Sequence, residues 1–220
     1  MRSDKGEAII LRKSGKSYKE IRRELGVPLS TLSDWFRNLE WSQKTSENLN
    51  RKNLEASRLR IIHLGKIRGD NLKKLYRSAR EEAAKDFSLL KHHPLFVAGV
   101  MIYWREGDKA SKNSFRISNS DPVLVKIFLS FLRKVCGAEE SRIRAGLLLY
   151  PDLDPQTCEV YWSEKIGLDI RNFTKSIVIR GKHKTKRVSH GICTLNFSSR
   201  FLKEKMLIWM SLMADDQLKI

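Results

Sequence analysis

Four short segments of this 220-residue chain set Arg, Ser, Thr or Asn at every second position, opposite apolar residues. Residues 113–118, 142–150, 175–180 and 191–198 read as strands on this alternation. Period two sends Phe115, Ile117, Ile143, Ala145, Leu147, Ile177, Ile179, Cys193, Leu195 and Phe197 to one face. The other face receives Ser114, Arg116, Ser118, Arg142, Arg144, Ser176, Arg180, Thr194 and Asn196. Guanidinium forks donate in pairs to anionic oxygens, and hydroxyl and amide groups add single bonds. Asp and Glu are missing from this row, which solubility alone does not explain. The basic loop 181–190 extends it with Lys182, Lys184, Lys186 and Arg187. The chemistry on offer is contact with phosphates and base edges.

The composition points the same way. Lys and Arg number 43 against 25 Asp and Glu, for a formal net charge of +18. Such an excess is a surface property, and it favours a polyanion by releasing its condensed counterions. Nucleic acid is the favoured polyanion, because the longest apolar run, residues 96–104, is far short of the ~20 residues that span a bilayer. The start of the chain is charged from Arg2 onwards, so no signal peptide is expected and a cytoplasmic, nucleoid-associated location follows. Neither a membrane nor a small-molecule substrate is expected as partner. Cys136, Cys158 and Cys193 are widely spaced with no Cys/His cluster, so they read as reduced thiols and not as a zinc site. His92 and His93 are neighbours, and neighbours on a helix do not share a face.

Three helical stretches occupy residues 5–40. The first carries Ala8, Ile9, Ile10 and Leu11 and stops at Ser14-Gly15; the second runs from a Ser17 cap with Glu20 three residues on, a capping box. Gly26-Val27-Pro28 breaks the chain, with the glycine supplying a positive φ, and the third carries Leu32, Trp35 and Phe36. The run from Ser17 through Leu25-Gly26-Val27 to Ser30-Thr31-Leu32-Ser33-Asp34-Trp35 resembles the helix-turn-helix of resolvases, transposases and many repressors. That resemblance implies a DNA-binding module at residues 1–41, with Ser30, Thr31, Ser33 and Arg37 facing the major groove and Lys16, Ser17 and Tyr18 holding phosphates. Arg22 stands where that family usually has a small Ala, so it is expected to turn outward.

Residues 42–93 read as a basic helical linker. Its 43–90 stretch has no proline and is rich in good helix formers. A thin apolar seam through Leu54, Ile61, Leu72, Leu75, Ala79, Ala83 and Phe87 fits one or two long helices, either as a solvated spacer or as a dimer coiled coil. Gly65 and Gly69 mark a close helix contact or a weak point.

From Pro94 helices alternate with the four strands, in the order α-β-α-β-α-β-β-α. Asp121-Pro122 and Asp154-Pro155 each combine an N-cap with a first-turn proline, and Gly137 and Gly167 close the helices they open. The stretch Phe96-Val97-Ala98-Gly99-Val100-Met101-Ile102-Tyr103-Trp104-Arg105-Glu106-Gly107, followed by Phe115-Arg116-Ile117-Ser118-Asn119-Ser120-Asp121-Pro122, resembles the LAGLIDADG homing-endonuclease domain. The resemblance covers about the last 125 residues. It implies a homodimer through paired motif helices, double-stranded DNA on the open sheet, and Glu106 as the catalytic residue that binds Mg²⁺. Counted back from Gly107, the close-packing Ala and Gly of the motif become Val100 and Met101.

The expected fold is α+β: an N-terminal helix-turn-helix, a long helical linker, and a LAGLIDADG-like mixed α/β domain at residues 94–220 with a DNA-facing sheet. The function read is that of a sequence-specific DNA-binding protein of the homing-endonuclease type, with Mg²⁺-dependent phosphodiester hydrolysis at or near its recognition site. The alternative is a non-catalytic transcriptional regulator that keeps the fold for DNA binding.

Overall fold

The structure, a computed structural model, describes residues 4–179 and 188–219. The chain is mixed α+β and divides into two compact units, residues 1–71 and 72–220.

The first unit holds α1 (Lys5–Lys13), α2 (Tyr18–Leu25), α3 (Leu29–Phe36) and the start of α4 (Glu40–Leu90). Ala8, Ile21, Val27, Leu32 and Phe36 form its core, with Trp35 and Trp41 packed on the outside. The capping box is closed in both directions: Glu20 N donates to Ser17 Oγ, and Ser17 N donates to the Glu20 carboxylate at 2.7 Å. Gly26 has φ +67°, the left-handed value that lets three residues turn α2 into α3. Arg22 is exposed, as its length requires.

The sequence did not signal what ties α1 to α4. Arg12 is only 2 % exposed. It donates Nε to Ser42 Oγ at 3.0 Å, Nη2 to the Ser42 carbonyl at 2.9 Å and to the Ser46 hydroxyl, and Nη1 to the Lys16 carbonyl at 2.9 Å. Its guanidinium also lies 4.5 Å from the centre of the Tyr18 ring. A buried cation is tolerable only when its donors are satisfied this fully.

Helix α4 is a single helix, and the division between units falls inside it, within the segment read as a linker. Leu54, Leu59, Ile61 and Ile62 are exposed. Ala79 is instead buried, and Ala83 and Phe87 belong to the core of the second unit, where Trp209 Nε1 donates to the Ala83 carbonyl at 3.1 Å. That unit adds α5 (Pro94–Glu106), β1 (Ser114–Asn119), α6 (Pro122–Lys134), β2 (Ile143–Leu149), α7 (Pro155–Ile166), β3 (Ile177–Val178), β4 (Ile192–Ser198) and α8 (Arg200–Gln217). Asp121 and Asp154 cap α6 and α7, each with proline in the first turn, and Gly167 ends α7 in the left-handed conformation.

The strands form one sheet in the order β1-β4-β2-β3, antiparallel except for the β2–β3 pair. Phe115, Ile117, Ile143, Ala145, Leu147, Cys193, Leu195 and Phe197 are buried on one face with the helices. The third strand departs from the expected alternation. Ile177 pairs with Leu148 on the opposite face and is 64 % exposed, while Ser176 donates to Glu159 on α7 at 2.7 Å. Period two sorts a strand into two sets, but a two-residue strand has too little pattern to say which set is inside.

Candidate nucleic-acid interface

The register of three strands sets Arg116, Asn196 and Arg144 side by side on the face away from the helices: Arg116 pairs with Asn196, and Asn196 pairs with Arg144. The next row is Ser118, Thr194 and Gly146. All of these but Ser118 line an open depression of about 330 Å³, together with Ser114, Leu148, Thr174, Lys175 and Ile177.

The polar groups on this face are organised. Ser114 Oγ donates to Asn196 Oδ1 at 2.7 Å, and the Ser118 and Thr194 hydroxyls lie 2.8 Å apart. Arg144 Nη1 donates to the carbonyls of Ser141 and Ile143 at 2.6 and 2.9 Å. Arg116 Nη2 lies 2.8 Å from Asp108 Oδ2. The Ser111 hydroxyl donates to the same Asp108 oxygen, and the backbone N–H groups of Ala110 and Ser111 donate to the other. The Ser111 hydroxyl, those amides and Arg116 hold the Asp108 carboxyl down at about 2.

Not every expected residue joins the row. Arg142 sits in a 3₁₀ turn ahead of β2, with its guanidinium 4.8 Å over the Phe197 ring and donating to the Ser198 carbonyl at 3.0 Å. It therefore stands at the end of the sheet. Arg180, Lys182, Lys184, Lys186 and Arg187 lie outside the described residues. Lys175 and Thr174 were missed. The parity that turns Ile177 outward also brings Lys175 to the outer face, and a correct inside–outside assignment of that strand would have found it.

In the first unit, Ser30 is exposed on α3 and Arg37 is exposed just past its end, with Thr31 and Ser33 half-buried. Arg37 approaches Asp34 at 4.0 Å, an acid on that helix. Lys16 is paired with Glu24. The Ser17 hydroxyl is committed to the capping box. Tyr18 is half-buried, its hydroxyl 3.3 Å from Ser42 Oγ. Of the three residues expected at phosphates, each side chain thus has an internal partner.

Glu106 is the last residue of α5 and is half-buried. The acid two residues on, Asp108, has both oxygens occupied as described. Among the described residues no three of His, Cys, Asp and Glu converge as a metal cluster. With Asp108 committed, Glu106 is the carboxylate this turn would offer to a Mg²⁺. His93 caps α5, accepting the Phe96 N–H on Nδ1 at 3.4 Å.

The turn below Glu106 is clamped from α8. Lys203, 3 % exposed, donates to the Tyr103 hydroxyl and to the Asp108 carbonyl, and Tyr103 itself donates to that carbonyl at 2.7 Å. Burial lowers the Lys203 ammonium and raises the Tyr103 phenol from their usual ranges.

Gly99 packs α5 on α6. A Cβ there would sit 2.2 Å from the Phe131 ring. Val97, Met101 and Trp104 lie on another side of α5 and line an apolar groove of about 540 Å³ with Met213, Ala214 and Leu218 of the last helix region. No described helix is long and apolar enough to cross a membrane. Comparison with known proteins finds no family model, no curated relative and no solved structure that matches the chain.

Proposed function

We propose that this chain is a double-stranded-DNA-binding protein that acts as a non-catalytic regulator, in the cytoplasm on the nucleoid. It docks through the open sheet face of the second unit, and through α2 and α3 of the first, read as a helix-turn-helix. The observation that carries this reading is the Arg116–Asn196–Arg144 row, on strands with no acidic residue, in a chain of net charge +18. Phosphate contacts from such a row supply affinity and position, and base contacts supply specificity.

The endonuclease reading differs at one residue. It needs Glu106 on Mg²⁺ and the same carboxylate from a second LAGLIDADG-like copy, because each chain carries one copy of the motif. Pairing through α5 has support in Met101, half exposed at 50 %, and the apolar groove it shares with Val97, Trp104 and Met213. The homodimer is therefore part of the proposal. Met101→Glu is expected to shift the sedimentation of a dimer to that of a monomer.

Footprinting on a selected duplex, with Mg²⁺ or Mn²⁺ present, separates the two. Protection without nicking, unchanged in Glu106→Gln, supports the regulator. Cleavage that vanishes in Glu106→Gln establishes the endonuclease.

A further inference from the structure

We infer that the Arg116–Asn196–Arg144 row is a donor-only reader that selects guanine in the major groove. This specificity rests on the DNA-binding reading above and adds the base class that the sheet prefers.

Arginine offers donors and no acceptor. Asparagine offers both, and an unconstrained Asn pairs with adenine by giving one bond and taking one. Asn196 is constrained. Ser114 Oγ donates to its Oδ1 at 2.7 Å, which assigns the carbonyl oxygen to the Ser114 side and directs the amide NH₂ elsewhere. The one carboxylate that touches the row, on Asp108, already takes two backbone N–H bonds, the Ser111 hydroxyl and Arg116. It has no acceptor left to offer a base. In the adjacent row the Ser118 and Thr194 hydroxyls are bonded to each other.

The Arg116–Asn196–Arg144 row therefore presents donors from three neighbouring strands, while the Ser118 and Thr194 hydroxyls beside it keep acceptor capacity. Paired residues on antiparallel strands lie ~4.5–5.5 Å apart, so the row spans about 10 Å. That is roughly three base-pair rises at ~3.4 Å. Guanine shows two acceptors in the major groove, N7 and O6; thymine shows one, O4, beside a methyl group that a guanidinium fork cannot bond, and adenine and cytosine each show an amino donor that would meet another donor. A donor facing a donor stays unpaired in a desolvated interface, and that penalty gives discrimination.

The test is selection of the full-length chain on a randomised duplex library at 150 mM salt, repeated with Ser114→Ala and with Arg144→Lys. The wild-type protein is expected to enrich two or more guanines on one strand within three or four consecutive base pairs. Replacing one of them should weaken binding roughly tenfold. Ser114→Ala frees the amide to turn over, so adenine rises beside guanine at one position with little change in affinity. Arg144→Lys keeps the charge and loses the fork, so one guanine preference relaxes while binding to random duplex stays within about twofold. Arg144 is exposed, and this second variant tests the inference even if Ser114→Ala perturbs the sheet. Binding without guanine enrichment, or an enrichment that survives both variants, overturns the inference and leaves DNA binding standing. Failure to retain any duplex overturns both.

Discussion

Arg116 on β1 and Asp108, in the turn that follows α5, form an ion pair with 2.8 Å between Nη2 and Oδ2, and through it the turn steadies a guanidinium on the open face of the sheet. The partner acid is itself held by Ser111 and by two backbone amides. The chain is thus built to keep Asp108 ionised beside Arg116.

That arrangement predicts a pH dependence. The Asp108 carboxyl binds its proton less readily in the folded chain, at about 2 against an ordinary 3.8. Ionised Asp108 therefore stabilises the fold fully above pH ~4, and the contribution disappears as pH falls toward 2. Urea unfolding at pH 5, 4, 3 and 2 should show the wild-type chain losing more stability than Asp108→Asn over that window. Equal losses would mean that Asp108 is not held as described.

Gly99 makes the second prediction. The added methyl of Gly99→Ala would lie 2.2 Å from the fully buried Phe131 ring. Overpacking of this kind costs about 1–3 kcal/mol. Urea denaturation should register that loss in the second unit, and an unchanged midpoint would contradict the close α5–α6 packing.

Arg12 tests the first unit. Arg12→Met keeps the packing stem but strands the Ser42 and Lys16 carbonyls that the guanidinium serves. A buried acceptor left unpaired costs about 1–3 kcal/mol. Amide hydrogen exchange should accelerate across α1 to α3, while β1, β2 and β4 keep their protection.

These sites also show what the sequence made legible. The capping box at Ser17 and Glu20 and the Asp-Pro starts of α6 and α7 are local devices, so a few adjacent residues identify them. Strands β1, β2 and β4 run six or seven residues, long enough for alternation to name the buried face. β3 has two residues, and its inside was set by pairing with β2, which no local pattern encodes. Arg12 carries no local signal of burial because its partners, Ser42 and Ser46, lie 30 and 34 residues away. Gly99 stood in a motif stretch read as a dimer surface, and only the tertiary structure places it against Phe131. Ala83 and Phe87 carried the seam of a linker, yet they are core because α5 and α8 return to cover them.

The central claim is that the arginine row on the sheet binds double-stranded DNA. The most direct measurement is the affinity of the full-length chain for a selected duplex, by fluorescence anisotropy from 50 to 200 mM salt, beside the double variant Arg116→Gln/Arg144→Gln. About five phosphate contacts would give a slope of log K against log salt near −4 or steeper. The double variant, with its fold verified by thermal melting, should weaken binding and flatten that slope by about 2 if both guanidiniums neutralise phosphates, or by less where they hold bases. Undiminished affinity and an unchanged slope in the double variant would contradict the account.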